Sequence, residues 1–438
     1  MRRLTIGIDG YNLAMPRGTG VATYGMTLAR AVAALGHETL GVFGIDVGRQ
    51  TALRQVLFFD RIGKDRPGET RKQHKRRMRR ETVQSWLPIG GLDVPMTAAV
   101  EKQVFAERLP AFDRVVSTPS LFEIAERRLR NRGTLLTLKI DNPPDIMHWT
   151  YPVPIRMAGS RNVYTLHDLV PLKLPYTTLD NKRVYHRLID LCVHQGDHIC
   201  TVSESSRNDI LSLFPGASPD KVTNTYQTAP VPASLLARDP AEDARVIEGM
   251  FALKQRGYFL FFGALDPKKN LPRIVEAYLT TQTSTPLVIV GARNWGTEQE
   301  SRIFGGEQVS MYGKAVASGV VKLDYLPREM LLRLVRGAKA VLFPSLYEGF
   351  GLPALEAISL GTPVIASNIS SMPEVVGDAG LLIDPYDAGT IARAIRALDG
   401  DAALAERLSA AAPGQAAKFS DAIYEAKLAD MYDRVMRA

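Results

Sequence analysis

Short apolar runs alternate with amphipathic stretches along most of the chain. In the first half the runs are LTIGID, TLGVFGI, RVVST, NVYTLHDL and HICTVS; in the second they are YFLFFGAL, PLVIVGA, VVKLDYL, AVLFPS and PVIAS. Each has strand length and little polar alternation, which predicts parallel sheets covered on both faces by crossover helices. Two such blocks predict an α/β chain of two doubly wound Rossmann-like domains. Ligands are then expected where the carboxyl ends of the strands face a central cleft. The expected boundaries are an N-terminal domain over 1–230, a Pro/Ala-rich linker over 231–245, a second domain over 246–420 and a terminal helix over 421–438. In that last stretch Ile423, Leu428, Met431, Tyr432 and Val435 recur at helical spacing.

A length of 438 residues also asks for two cores rather than one. Hydrophobic residues make up 45% and charged residues 23%, the balance of a globular chain that stays in water. No apolar run approaches the ~18 residues that cross a bilayer. The opening MRRLTIGIDGYNL reads as a strand rather than a leader, because Asp9 and Asn12 interrupt it. Cys192 and Cys200 stand in apolar surroundings without disulfide or metal spacing, as buried thiols of a reducing compartment do. The expected place is the cytosol.

Charge changes the picture in one segment only. Residues 61–80, RIGKDRPGETRKQHKRRMRR, hold ten Lys/Arg against two acids, which accounts for the whole net charge of +8. Such a block reads as a solvated loop or as a surface for anionic lipid headgroups, with Arg76, Arg77, Arg79 and Arg80 its densest part. No aromatic interleaves it to stack on bases, so nucleic acid is not an expected partner.

The candidate chemistry is densest at residues 342–357, LFPSLYEGFGLPALEA. The apolar run before it predicts a buried strand, and LPALEAISL after it has helical spacing. Glu348 then sits at a strand's carboxyl edge and Glu356 about two turns into the next helix, on the same side. Between them Gly349, Phe350, Gly351 and Leu352 form a turn and a helix start whose N–H groups attract anions. A diphosphate flanked by hydroxyl-bearing rings suits the place. Lys268 and Lys269, in GALDPKKN, follow another strand and supply cations suited to phosphate. Gly18 and Gly20 open a helix after the first strand and let a ligand approach the backbone. His167 and Asp168 end the strand of YTLHDL. Asn270 reads as a helix cap, and Ser371–Glu374, SMPE, as a capping box. No metal-ligand spacing occurs, and Lys with helix N–H groups can neutralise phosphate; a metal is not expected.

The string from Glu348 to Glu356 resembles the E-x7-E signature of retaining glycosyltransferases of family 4, which have the GT-B fold; the similarity continues through PVIASNISSMPEVVGDAGLLIDPYD. The resemblance implies that Glu348 contacts the donor sugar, Glu356 the ribose and Lys269 the diphosphate. It also implies that His167 lies beside the sugar, and the glycine loop of Gly18 and Gly20 near the donor phosphates. The terminal helix is implied to return to the first domain. Many members carry an Arg directly after the strand's Gly, where this chain has Ala264.

The strings NVYTLHDLVP, GALDPKKN and SSMPEVVGDAG resemble bacterial polysaccharide mannosyltransferases. GDP-mannose is therefore the expected donor and a lipid-linked exopolysaccharide or O-antigen glycan the expected acceptor, with no cofactor beyond the nucleotide sugar. Rhamnosyl, glucosyl or galactosyl transfer, or a nucleotide-sugar epimerase of the same fold, are the alternatives.

Overall fold

The computed structural model describes residues 2–16, 20–64, 68, 70–97, 109–229, 231–264, 266–291, 315–317, 319–323 and 326–437. They form two compact units. The first comprises residues 1–172, 179–227 and 421–438, the second 173–178 and 228–420.

The sheet of the first unit runs, edge to edge, through Val222–Asn224, His198–Thr201, Arg161–Leu166, Ile146–Trp149, Thr5–Asp9, Glu38–Phe43, Arg114–Ser117 and Leu92–Val94. Every pairing is parallel except the last. Its interior strands are buried almost throughout, as a sheet with two covered faces requires. Trp149, Tyr164, Leu166, Ile189 and Ile199 anchor one core face, and burying each such side chain contributes about 1.5–3 kcal/mol. The terminal helix Asp421–Arg437 belongs to this unit, where Tyr432 Oη lies 2.7 Å from His148 Nδ1.

The second sheet runs through Ala315–Ala317, Val320–Leu323, Leu287–Val290, Phe259–Phe262, Ala340–Phe343, Val364–Ser367 and Gly380–Ile383. Only the Ala315–Ala317 edge is antiparallel. Phe259, Phe261, Ile289, Leu342 and Ile365 fill its core. Residues 231–245, expected as a linker, carry the helix Ala233–Leu236 and the start of Pro240–Phe251. An ion cluster holds the latter: buried Asp243 takes Arg336 at 3.1 Å and Arg333 at 3.5 Å, both from the helix Arg328–Gly337.

Candidate functional site

The central strand Ala340–Phe343 ends at Pro344, which cannot donate to the ladder. The chain then loops through Glu348 to the helix Leu352–Ser359. Gly351 makes the turn possible. Its φ is +103°, a conformation strained for any residue with a side chain. Glu356 is the fifth residue of the helix, a little over one turn in, not the two turns expected, because the helix starts only at Leu352.

Two serines fix the loop. Ser370 Oγ accepts the Glu348 N–H at 3.2 Å. Ser371 Oγ lies 3.0 and 2.8 Å from the carbonyls of Glu348 and Phe350, which share its one proton. Ser371 stands at the expected N-cap position of the helix Met372–Val376, but its hydroxyl is spent on the loop and makes no cap bond. Asn270 likewise stands at the expected N-cap position, of the helix Leu271–Thr281. It sits in the left-handed region at φ +63° and makes no cap bond. Its Nδ2 instead donates to Pro344 O at 3.1 Å and Pro385 O at 2.7 Å. Together with Leu346 N–H donating to Lys268 O at 2.7 Å, this ties the lysine turn Pro267–Lys269 to the glutamate loop.

The result is a shelf of paired charges. Lys269 Nζ lies 2.5 Å from Glu348 Oε1 and 4.4 Å above the Phe343 ring. Lys268 Nζ is 3.8 Å from Glu348 Oε2, and both lysines are largely covered. Arg328 Nη2 donates to Glu356 Oε1 at 2.8 Å. Both glutamates are buried. Burial pushes the Glu348 carboxyl up, but Lys269 and then Lys268 outweigh it and hold the group below the usual carboxylate range. At Glu356 burial wins over the single, half-exposed Arg328, and the carboxyl is raised. Glu348 is thus a committed anion between two cations, and the two acids differ in their hold on a proton.

Arg328 escaped the sequence reading. Its one signal was a cation in a helix's first turn, where the dipole disfavours it. Lys268, read from the sequence as a cation suited to phosphate, is in the cluster. Ala264 is exposed and brings no charge. Among the described residues no group of three or more His, Cys, Asp or Glu gathers as metal ligands.

In the first unit His167 directly follows the strand Arg161–Leu166. Its Nε2 lies 2.8 Å from Thr150 O, and its ring meets the Tyr24 ring edge-on at 4.8 Å. Asp168 Oδ1 accepts the Val170 N–H at 3.1 Å, a bond that shapes the loop. Gly20 begins the helix Gly20–Ala34, and Gly18 lies outside the described residues.

Residues 71–80 of the basic block lie in a helix, Arg71–Gln84, not a loop, and residues 65–67 and 69 lie outside the described residues. A capping box starts it: Thr70 Oγ1 accepts Gln73 N–H at 3.3 Å and Gln73 Oε1 accepts Thr70 N–H at 2.9 Å. Buried Glu81 takes Arg77 and Arg127, each at 2.9 Å, and so docks the helix on Leu121–Arg132. Arg77 is therefore committed inside the protein, unlike its expected place on the surface, whereas Arg76, Arg79 and Arg80 are exposed. Just beyond them Val83, Trp86 and Leu87 are 69%, 57% and 67% exposed.

Residues 251–415 match the family described as Glycosyl transferases group 1. The chain is 34% identical over 266 residues to O-antigen chain mannosyltransferase B of Escherichia coli, spanning 59% of this chain and 67% of that one. It is 29% identical over 276 residues to the serotype-specific mannosyltransferase WbdA of Escherichia coli, covering 62% of this chain but only 33% of that longer one. In structure it is similar to Anabaena Alr3699/HepE in complex with UDP-glucose, with a TM-score of 0.62 at 14% identity over 98% of this chain and 100% of that one.

Proposed function

The chain belongs to the group 1 glycosyl transferases and has the GT-B fold of its structural neighbours, and on that premise we propose that it moves a hexose from a nucleotide diphosphate sugar to a glycan hydroxyl with retention of configuration. The observation that carries this reading is the shelf of Lys268, Lys269, Glu348, Glu356 and Arg328 at the carboxyl end of a central parallel strand, where such folds bind ligands. Lys269 and Lys268, with N–H groups around Gly349 to Leu352, hold the diphosphate; Lys268 takes up the charge that Ala264 lacks. Glu348 accepts hydrogen bonds from sugar hydroxyls and Glu356 from the ribose. His167 contacts the sugar, and Gly18 and Gly20 line the donor phosphates; these roles rest on the motif.

In the transfer, the bond from the anomeric carbon to the phosphate oxygen breaks and one to the acceptor oxygen forms on the same face. The acceptor's proton passes to the departing phosphate oxygen. Negative charge grows on that phosphate, where the two lysines stabilise it, so the reading is of a metal-independent enzyme. The relatives named as mannosyltransferases support GDP-mannose as donor and a lipid-linked O-antigen or exopolysaccharide glycan as acceptor. Incubation of the purified protein with a panel of nucleotide sugars and glycan acceptors in EDTA tests this. Nucleoside diphosphate plus an α-mannoside from GDP-mannose is expected. A rearranged sugar nucleotide would identify an epimerase instead, and an inverted product would end the retaining mechanism.

The basic helix supports a peripheral membrane contact. Arg76, Arg79 and Arg80 lead along it to Val83, and Trp86 and Leu87 follow, which joins cations to exposed apolar groups. Among the described residues no helix is long and apolar enough to cross a membrane. Each basic group near an anionic surface contributes about 1 kcal/mol. The triple change of Arg76, Arg79 and Arg80 to Gln should therefore lower co-sedimentation with anionic vesicles by more than about tenfold at low salt, with transfer to a soluble acceptor unchanged. Wild-type protein that ignores such vesicles would remove this contact from the account.

A further inference from the structure

Asp9 is a buried carboxylate to which the reaction above gives no task. It ends the strand Thr5–Asp9, beside the parallel strand Ile146–Trp149, and is 0% exposed. Among the described residues it has no ion pair; N–H donors hold it instead. Oδ1 accepts the Tyr11 N–H at 3.1 Å, and Oδ2 accepts the N–H of Thr150. Burial raises its carboxyl to about 6, against the pull of these bonds. A buried acid so placed costs stability, so its retention asks what it orders.

It orders Thr150, and Thr150 orders His167. The carbonyl of Thr150 lies 2.8 Å from His167 Nε2. A carbonyl only accepts, so Nε2 carries the hydrogen. In the neutral ring Nδ1 is then the acceptor. The Tyr24 ring, edge-on at 4.8 Å, holds the plane, and Ser206 Oγ donates to the His167 carbonyl at 2.7 Å. Tyr24 is itself fixed, its hydroxyl 3.0 Å from Thr165 Oγ1. The imidazole is thus held through its nitrogen, its face and its backbone, and the Asp9 carboxylate anchors the strand end that supplies the first of these.

We propose that Asp9 is a positioning residue that, by pinning Thr150, fixes His167 as the Nε2–H tautomer, the ring form in which His167 serves the proposed transfer. That the transfer uses this ring rests on the proposed function; the tautomer does not.

The experiment uses the full chain labelled with ¹⁵N-histidine. Multiple-bond ¹H–¹⁵N spectra at pH 8 report the tautomer of each ring, and His167→Gln identifies the His167 signals. Wild type should show His167 with hydrogen on Nε2; hydrogen on Nδ1 overturns the proposal without any further variant. Asp9→Asn keeps the shape but opposes an amide NH₂ to an N–H donor. It should mix the His167 tautomers and lower kcat by about tenfold or more, the scale of a small misplacement, with nucleoside diphosphate affinity unchanged. A wild-type tautomer with wild-type kcat in Asp9→Asn overturns the proposal. So does lost nucleotide affinity with the tautomer intact, which makes Asp9 structural only. Wild type that binds no nucleotide sugar, yet shows the Nε2–H form, fails the donor reading and leaves the tautomer assignment standing.

Discussion

Glu348→Gln should lower turnover by roughly 100-fold while binding nucleoside diphosphate as tightly as the wild type, or more tightly. The two halves of this expectation have separate causes. Glu348 holds Lys269 at 2.5 Å and Lys268 at 3.8 Å, so a diphosphate must compete with a carboxylate for its cations. Removing the negative charge removes that competition. Turnover falls because the sugar loses the acceptor that orients it, and only well-oriented reactants gain the advantage of proximity. Glu348→Ala is the poorer probe: it leaves two largely covered ammonium groups without a partner, and breaking a buried pair costs about 3–5 kcal/mol. Glu356→Ala should act differently. Arg328 is half exposed and returns to water easily, so the loss is that of one charge-assisted contact, about 1.5–3 kcal/mol, seen as a weaker KM for the donor with a smaller change in kcat. Steady-state kinetics on the three variants separate these effects, and wild-type constants throughout would remove both acids from the site.

Glu348 and the lysines were legible because each follows an apolar run that reads as a buried parallel strand. A charged residue placed straight after such a run lies at a carboxyl edge whatever the rest of the fold does. The helix register was less so: Gly351 and Pro353 decide where the helix begins, and counting from the strand put Glu356 a turn too deep. The cap positions of Ser371 and Asn270 were legible but their bonds were not, because a capping oxygen or amide and one that clamps a loop carbonyl have the same chemistry; only the fold says which backbone groups come near. Arg328 lies 28 residues from its partner Glu356, and nothing local announces that pairing. The strand Ile146–Trp149 was missed because His148 interrupts it, although there it is fully buried between Tyr432 and Thr165. The basic helix ran against expectation because repulsion among its cations was legible, whereas the capping box at Thr70 and the tertiary pull of Glu81 on Arg77 and Arg127 were not weighed with it.

The second large effect falls on the diphosphate. Lys269 makes the close ion pair and stacks over Phe343, whereas Lys268 stands off at 3.8 Å. A charge-assisted contact to phosphate is worth about 1.5–3 kcal/mol, so Lys269→Ala should weaken nucleoside diphosphate binding by roughly 10- to 100-fold, and Lys268→Ala by clearly less. The central claim is that this shelf holds the donor's diphosphate by protein charge alone. Calorimetric titration of GDP into wild type, Lys269→Ala and Lys268→Ala, all in EDTA, tests it most directly. The account predicts binding to the wild type undiminished by EDTA, a large loss in Lys269→Ala and a smaller one in Lys268→Ala. Unchanged affinity in Lys269→Ala, equal losses in both variants, or wild-type binding abolished by EDTA would contradict it.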